Sequence, residues 1–136
     1  MAYWLLKTEP STYSYEDLIR DKKTVWDGIT NNLALKHIRT IHKGDLAFIY
    51  HSGNEKQIVG IGEIISEPYP DPKQKDSKLV IFDIKPTNKL KQCVTLKEIK
   101  TDKRFKDFGL VRMSRLSVVP VTEIQWKNLM KKGNVE

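Results

Sequence analysis

Cysteine is nearly absent: Cys93 stands alone among 136 residues, so no disulfide closes within the chain. A lone thiol fits a reducing compartment, and the expected location is cytoplasmic, or nuclear in a eukaryote. Long hydrophobic runs are missing too, and nothing nears the ~20 apolar residues of a bilayer-crossing helix. Met1-Ala2-Tyr3-Trp4-Leu5-Leu6-Lys7 lacks the basic start and apolar length of a secretory leader, so no membrane partner is expected. Histidine is scarce, with three in all. His37 and His42 miss the four-residue spacing that sets two ligands on one helix face, and no Cys-x-x-Cys occurs. A metal site is therefore not expected, and neither is a cofactor. There is no Gly-x-Ser-x-Gly elbow and no phosphate-cradling loop, and Gly60-Ile61-Gly62 lacks a third glycine. His51 and Ser52 are adjacent, so a strand aims them at opposite faces, where they do not readily pair with each other as nucleophile and base, and nothing marks a partner elsewhere. No catalytic machinery is visible, and the chain is expected not to be an enzyme.

What remains has the composition of one folded domain spanning 1–136, with 39% hydrophobic and 30% charged residues. The net charge of +7 is unevenly placed. Residues 1–66 carry 8 basic and 8 acidic side chains, whereas residues 67–136 carry 16 and 9, so the whole excess lies in the second half. Such asymmetry fits a polyanionic partner, nucleic acid first, although a lysine-rich surface also serves solubility.

Short segments alternate in type. Tyr3–Lys7 reads as a strand broken by Pro10. Ser14 and Asp17 open a short helix. Lys23–Trp26 is a further extended piece, closed by an Asp27-Gly28 turn. Leu33, Ala34, Ile38 and Ile41 recur at helical spacing behind a cap at Thr30 or Asn31. Leu46–His51 and Ile58–Ser66 are strands, and Gly60 and Gly62 imply close backbone approach. Pro68, Pro70 and Pro72 are expected to forbid regular structure, and Leu79–Ile84 to form a strand ended by Pro86. Thr95-x-x-Glu98 and Thr122-x-x-Gln125 are capping boxes, with Ser117–Val121 extended between them. Gly133 is placed to close the last helix. The class is α+β: a small mixed β-barrel of five to six strands with peripheral helices.

Polar and aromatic groups gather at the predicted strand ends. Trp26 offers a flat face for stacking a base, or serves as core filler. Asn31 carries the donor and acceptor needed to read a base edge, or caps its helix. Tyr50, His51 and Ser52 end a strand where side chains can face a cavity, or Tyr50 is simply buried with its hydroxyl partnered. Lys7, Thr8 and Glu9 do the same for the first strand, unless Lys7 and Glu9 form an ion pair. Arg112, Ser114, Arg115 and Ser117 suit phosphate, or bind loop carbonyls instead. The ligand so described is a nucleic-acid base. A small hydrolase acting on a nucleoside, and a basic factor binding RNA without specificity, are the alternatives.

These same stretches carry a family resemblance. Tyr3–Pro10, Trp26-Asp27-Gly28, Lys43–Ser52, Ile58–Glu63, Pro68-Tyr69-Pro70-Asp71 and Arg112–Val118 resemble, in order, the segments of the EVE domain family. The resemblance implies a PUA-like fold, a barrel akin to the YTH domains that read methylated adenine. It also implies a reader of modified bases, modified cytosine in DNA or a base in RNA. The matching pocket would hold Trp26, Asn31, Tyr50, Ser52 and Lys7–Glu9. One stretch departs from the pattern: Thr30 and Leu35 stand where family members commonly have arginine, Asn32 where they have an aromatic, and Leu79 where tryptophan is frequent. The ligand or its affinity is expected to differ accordingly.

Overall fold

A computed structural model describes residues 1–135 of the chain. The strands are β1 (Tyr3–Thr8), β2 (Thr24–Trp26), β3 (Leu46–His51), β4 (Gln57–Ile64), β5 (Tyr69–Pro70), β6 (Val80–Thr95) and β7 (Val118–Val121). They form one curled mixed sheet in the order β2-β6-β4-β3-β1-β7, with β5 paired to β6 outside that path. Among the described residues only β1 and β3 run parallel, Tyr3 opposite Leu46 through Thr8 opposite His51. The helices are α1 (Tyr15–Asp21), α2 (Asn32–Ile38), α3 (Leu96–Thr101), α4 (Gly109–Arg112) and α5 (Glu123–Lys132).

The curl has local causes. The β3–β4 register shifts between Ile49 and Tyr50, and the β4–β6 register shifts at Ile58/Gly60 and again at Ile61/Gly62. Each such irregularity bends a strand and tightens its twist. Gly60 also admits the Tyr15 ring, which lies where any Cβ on that residue would stand. Tyr15 then donates its hydroxyl to the Ile61 carbonyl at 2.6 Å. A glycine in β4 thus docks α1 on the sheet.

Helix starts follow the sequence closely. Reciprocal capping boxes join Ser14 to Asp17, Thr95 to Glu98 and Thr122 to Gln125, and Asn31 caps α2 through the Ala34 amide. Gly133 terminates α5. Two expectations fail. β6 does not end before Pro86 but continues to Thr95. Pro86 faces Gly62 at a register irregularity, where the missing N–H leaves no regular ladder bond unmade. The proline-rich stretch also holds a strand, since Tyr69 and Pro70 pair with Ile81 and Val80 at the sheet margin. With that pair the strands among the described residues number seven, six on the main path of the sheet and β5 beside it.

Asp45 locks the far end of the molecule. It is 3% exposed and accepts from the Ala2 amide (3.0 Å), the Trp4 indole N–H (3.0 Å) and the His42 amide (2.9 Å). These bonds tie the start of β1 to the turn before β3. The opposite end of β1 is left to build the site.

Candidate functional site

A cavity of about 790 Å³ opens at the C-terminal ends of β1 and β2. β1 supplies Lys7 and Thr8, followed by Glu9, Thr12 and Tyr13 from the loop. β2 supplies Thr24, Val25 and Trp26, and the turn beyond it supplies Asp27 through Asn31. Gly28 has φ +79°, the left-handed conformation that glycine adopts without a Cβ penalty, so the chain can reverse directly after the tryptophan. Trp26 is paired opposite Phe82 and is 8% exposed, yet it is among the residues lining the cavity. It is both core and lining.

The polar groups are held in place individually. Asn31 Oδ1 accepts the Ala34 amide at 3.0 Å, so its capping role is real. Its Nδ2 donors take no part in that bond. Thr8 donates its hydroxyl to the Tyr13 carbonyl at 2.6 Å, which fixes the loop between β1 and α1. Glu9 accepts from the Ser11 amide (3.1 Å) and hydroxyl, and no Lys7–Glu9 ion pair forms among the described residues. Lys7 instead reaches across to donate Nζ to the Ser114 carbonyl at 2.8 Å. Partial burial of the ammonium lowers its pKa from the ordinary value. Tyr13 donates to Asp21 at 2.7 Å, and burial raises its phenol pKa.

Lys73 completes the rim from far along the chain. Tyr69 donates to Asp83 at 2.6 Å and the Asp83 amide donates to the Ser66 hydroxyl oxygen, which pins the proline-rich stretch to β6. The buried Asp71 then accepts the Lys73 amide at 2.9 Å. Lys7 and Lys73 balance Glu9 and Asp27 around this cavity.

Of the residues expected at the pocket, Lys7, Thr8, Glu9, Trp26, Asn31 and Ser117 line it. Arg112, Ser114 and Arg115 line a smaller cavity beside it. Tyr50, His51 and Ser52 line neither. Tyr50 lies behind Lys7, its ring centroid 5.8 Å from Nζ. His51 is buried with both nitrogens engaged: Nε2 accepts the Tyr15 amide at 3.0 Å and Nδ1 meets Glu55 at 2.9 Å. Ser52 donates its amide to the Thr8 carbonyl at 2.9 Å. Tyr50 and His51 are paired opposite Lys7 and Thr8, and Ser52 is bonded to the Thr8 carbonyl, so all three support the strand that supplies the cavity wall. Sequence reasoning missed Tyr13, Thr24, Asp27 and Lys73. The Asp27-Gly28 turn marks its own neighbours, but only the fold brings Lys73 there. Leu35 is packed in the core and away from both cavities, so an arginine is not missing from the rim at that point; Thr30, by contrast, does line the wall.

A curled mixed sheet with helices around it and a cavity at the strand ends is the architecture of a PUA-like domain. Within that class the chain belongs to the EVE domain family, whose model matches residues 2–132. It is 31% identical to thymocyte nuclear protein 1 of Rattus norvegicus over 98% of this chain and 74% of the relative. Among solved structures, Rpa0253 from Rhodopseudomonas palustris is 44% identical, with a TM-score of 0.94 over 98% of this chain and 94% of that one. Human THYN1 protein, solved in complex with 5-methylcytosine-containing DNA, is 27% identical, with a TM-score of 0.91 over 100% and 99% of the two chains.

Proposed function

We propose that the chain is a non-catalytic nucleic-acid-binding module that receives one base, carrying a modification such as 5-methylation, in the cavity beside Trp26. The observation that carries this reading is a cavity large enough for a nucleotide, lined by Trp26 together with polar and charged side chains of β1 and of the turn after β2. The human relative bound to 5-methylcytosine-containing DNA supports the ligand class. Trp26 stacks on the heterocycle, and the Nδ2 donors of Asn31 face acceptors on its edge. Glu9 and Asp27 accept from an exocyclic amine, and Lys7 and Lys73 donate. Bases stacked in a duplex are inaccessible, so a duplex target enters flipped out or unpaired.

His51 supports binding over hydrolysis. Its Nε2 lone pair is occupied by the Tyr15 amide, which leaves no basic nitrogen for a general base. The cavity walls also lack histidine and cysteine among the described residues.

The test is a titration of labelled single-stranded oligonucleotides, methylated and unmethylated, at two salt concentrations. Preference for the methylated strand is expected, and Trp26→Ala should weaken it by about tenfold or more, in line with base–aromatic stacking. Recovered oligonucleotide should have unchanged mass. Equal binding of every strand, indifferent to Trp26→Ala and lost in high salt, identifies a nonspecific basic factor instead.

A further inference from the structure

The smaller cavity, of about 360 Å³, shares Asn31 with the first and takes the rest of its lining from Leu33 and the segment Arg112–Leu116. Three features distinguish it from a bare phosphate cradle. Met113 is 45% exposed, an uncovered thioether between two arginines. Arg115 has no carboxylate partner among the described residues, and Arg112 has only Asp107, at 3.6 Å on the open surface. The wall between the cavities is braced, since Lys7 donates Nζ to the Ser114 carbonyl at 2.8 Å and its amide to the Ser117 carbonyl at 3.0 Å. The two cavities are therefore held at a set spacing.

We infer that this second cavity receives the nucleotide adjoining the read base on the same strand, its ring against Met113 and Leu33 and its phosphate at Arg115. The inference rests on the base-reading function proposed above. A phosphate alone gains nothing from an apolar wall, whereas a thioether beside a heterocycle makes a favourable contact. Unpaired guanidinium groups suit an anionic backbone passing both cavities. The smallest ligand that fills the site is then a dinucleotide, and contact with the second ring tolerates any base, because every base has a π-face.

Fluorescence anisotropy on the full chain tests this, using a labelled single strand with one 5-methylcytosine. Two further strands carry an abasic nucleotide on its 5′ or its 3′ side, keeping sugar and phosphate. One of the abasic strands should bind about fivefold more weakly, the scale of a sulfur–aromatic contact, and the other should bind as the intact strand does. Met113→Ala should weaken the intact strand by a similar factor and lose sensitivity to the abasic change. Met113 is on the surface, so the variant should melt as the parent does. Equal affinity for intact and both abasic strands overturns the inference and leaves a phosphate site only. Failure of the base reading itself looks different: all three strands bind alike and Trp26→Ala has no effect, which overturns both.

Discussion

Gly60→Ala probes the joint between α1 and the sheet. A Cβ at residue 60 would stand 2.4 Å from Tyr15 Cζ and 2.6 Å from both Cε atoms. Carbon atoms pack at about 3.5–4.0 Å, so the ring must retreat by about an ångström. Retreat is resisted at two points, the 2.6 Å bond from the Tyr15 hydroxyl to the Ile61 carbonyl and the 3.0 Å bond from its amide to His51. Overpacking costs about 1–3 kcal/mol, and weakening a buried hydrogen bond adds about 1 kcal/mol. Glycine-to-alanine in a strand otherwise gains about 0.5–1 kcal/mol, which leaves a net loss of about 1–3.5 kcal/mol, centred near 2. For a domain of this size that lowers Tm by about 10 °C. Differential scanning calorimetry measures it, and Tyr15→Leu is the control background in which the Gly60→Ala penalty should shrink by more than half. An unchanged or raised Tm for Gly60→Ala in the parent chain would refute the reasoning. Tyr15 follows the Glu9–Ser14 loop that walls the larger cavity, so oligonucleotide affinity should fall alongside stability.

Asp45→Ala strands the Ala2, Trp4 and His42 donors, two of them near the surface, and should cost about 3–5 kcal/mol in urea unfolding. Asp45→Asn retains one acceptor oxygen and should cost clearly less; equal losses would contradict the bonding described. Burial pushes the Tyr15 phenol up to about 12, and donation to the Asp83 carboxylate, with burial behind it, pushes Tyr69 up to about 12. Both are acids held protonated in the folded state, so their contribution is complete below about pH 10, where unfolded tyrosine titrates, and is lost as pH rises toward 12. Unfolding monitored from about pH 9 to about pH 12 should show stability falling, with a shallower fall in Tyr15→Phe; an identical slope in that variant would count against the assignment.

The parts legible in the sequence are those encoded over a few residues. The caps at Ser14, Thr95 and Thr122 each need only a hydroxyl and a side chain three positions on, a pairing that helical geometry alone satisfies. The turn after Trp26 needs only a glycine free to take positive φ. Asn31 is open to two readings in the sequence, and the structure gives it the cap and places the residue in the cavity lining as well.

Tertiary structure decided what depends on pairing between distant strands. Pro86 reads as a strand end locally, but opposite a register irregularity at Gly62 its missing donor does no harm and β6 runs on. His51 and Ser52 read as cavity groups locally, but the fold commits His51 Nε2 to the Tyr15 amide and the Ser52 amide to the Thr8 carbonyl. Lys73 reaches the site only because Tyr69 and Asp83, fourteen positions apart, hydrogen-bond across β5 and β6. A hydrogen bond between near neighbours is set by backbone geometry over one turn. One between strands exists only after the whole sheet has chosen its register, and that choice is a property of the packed core.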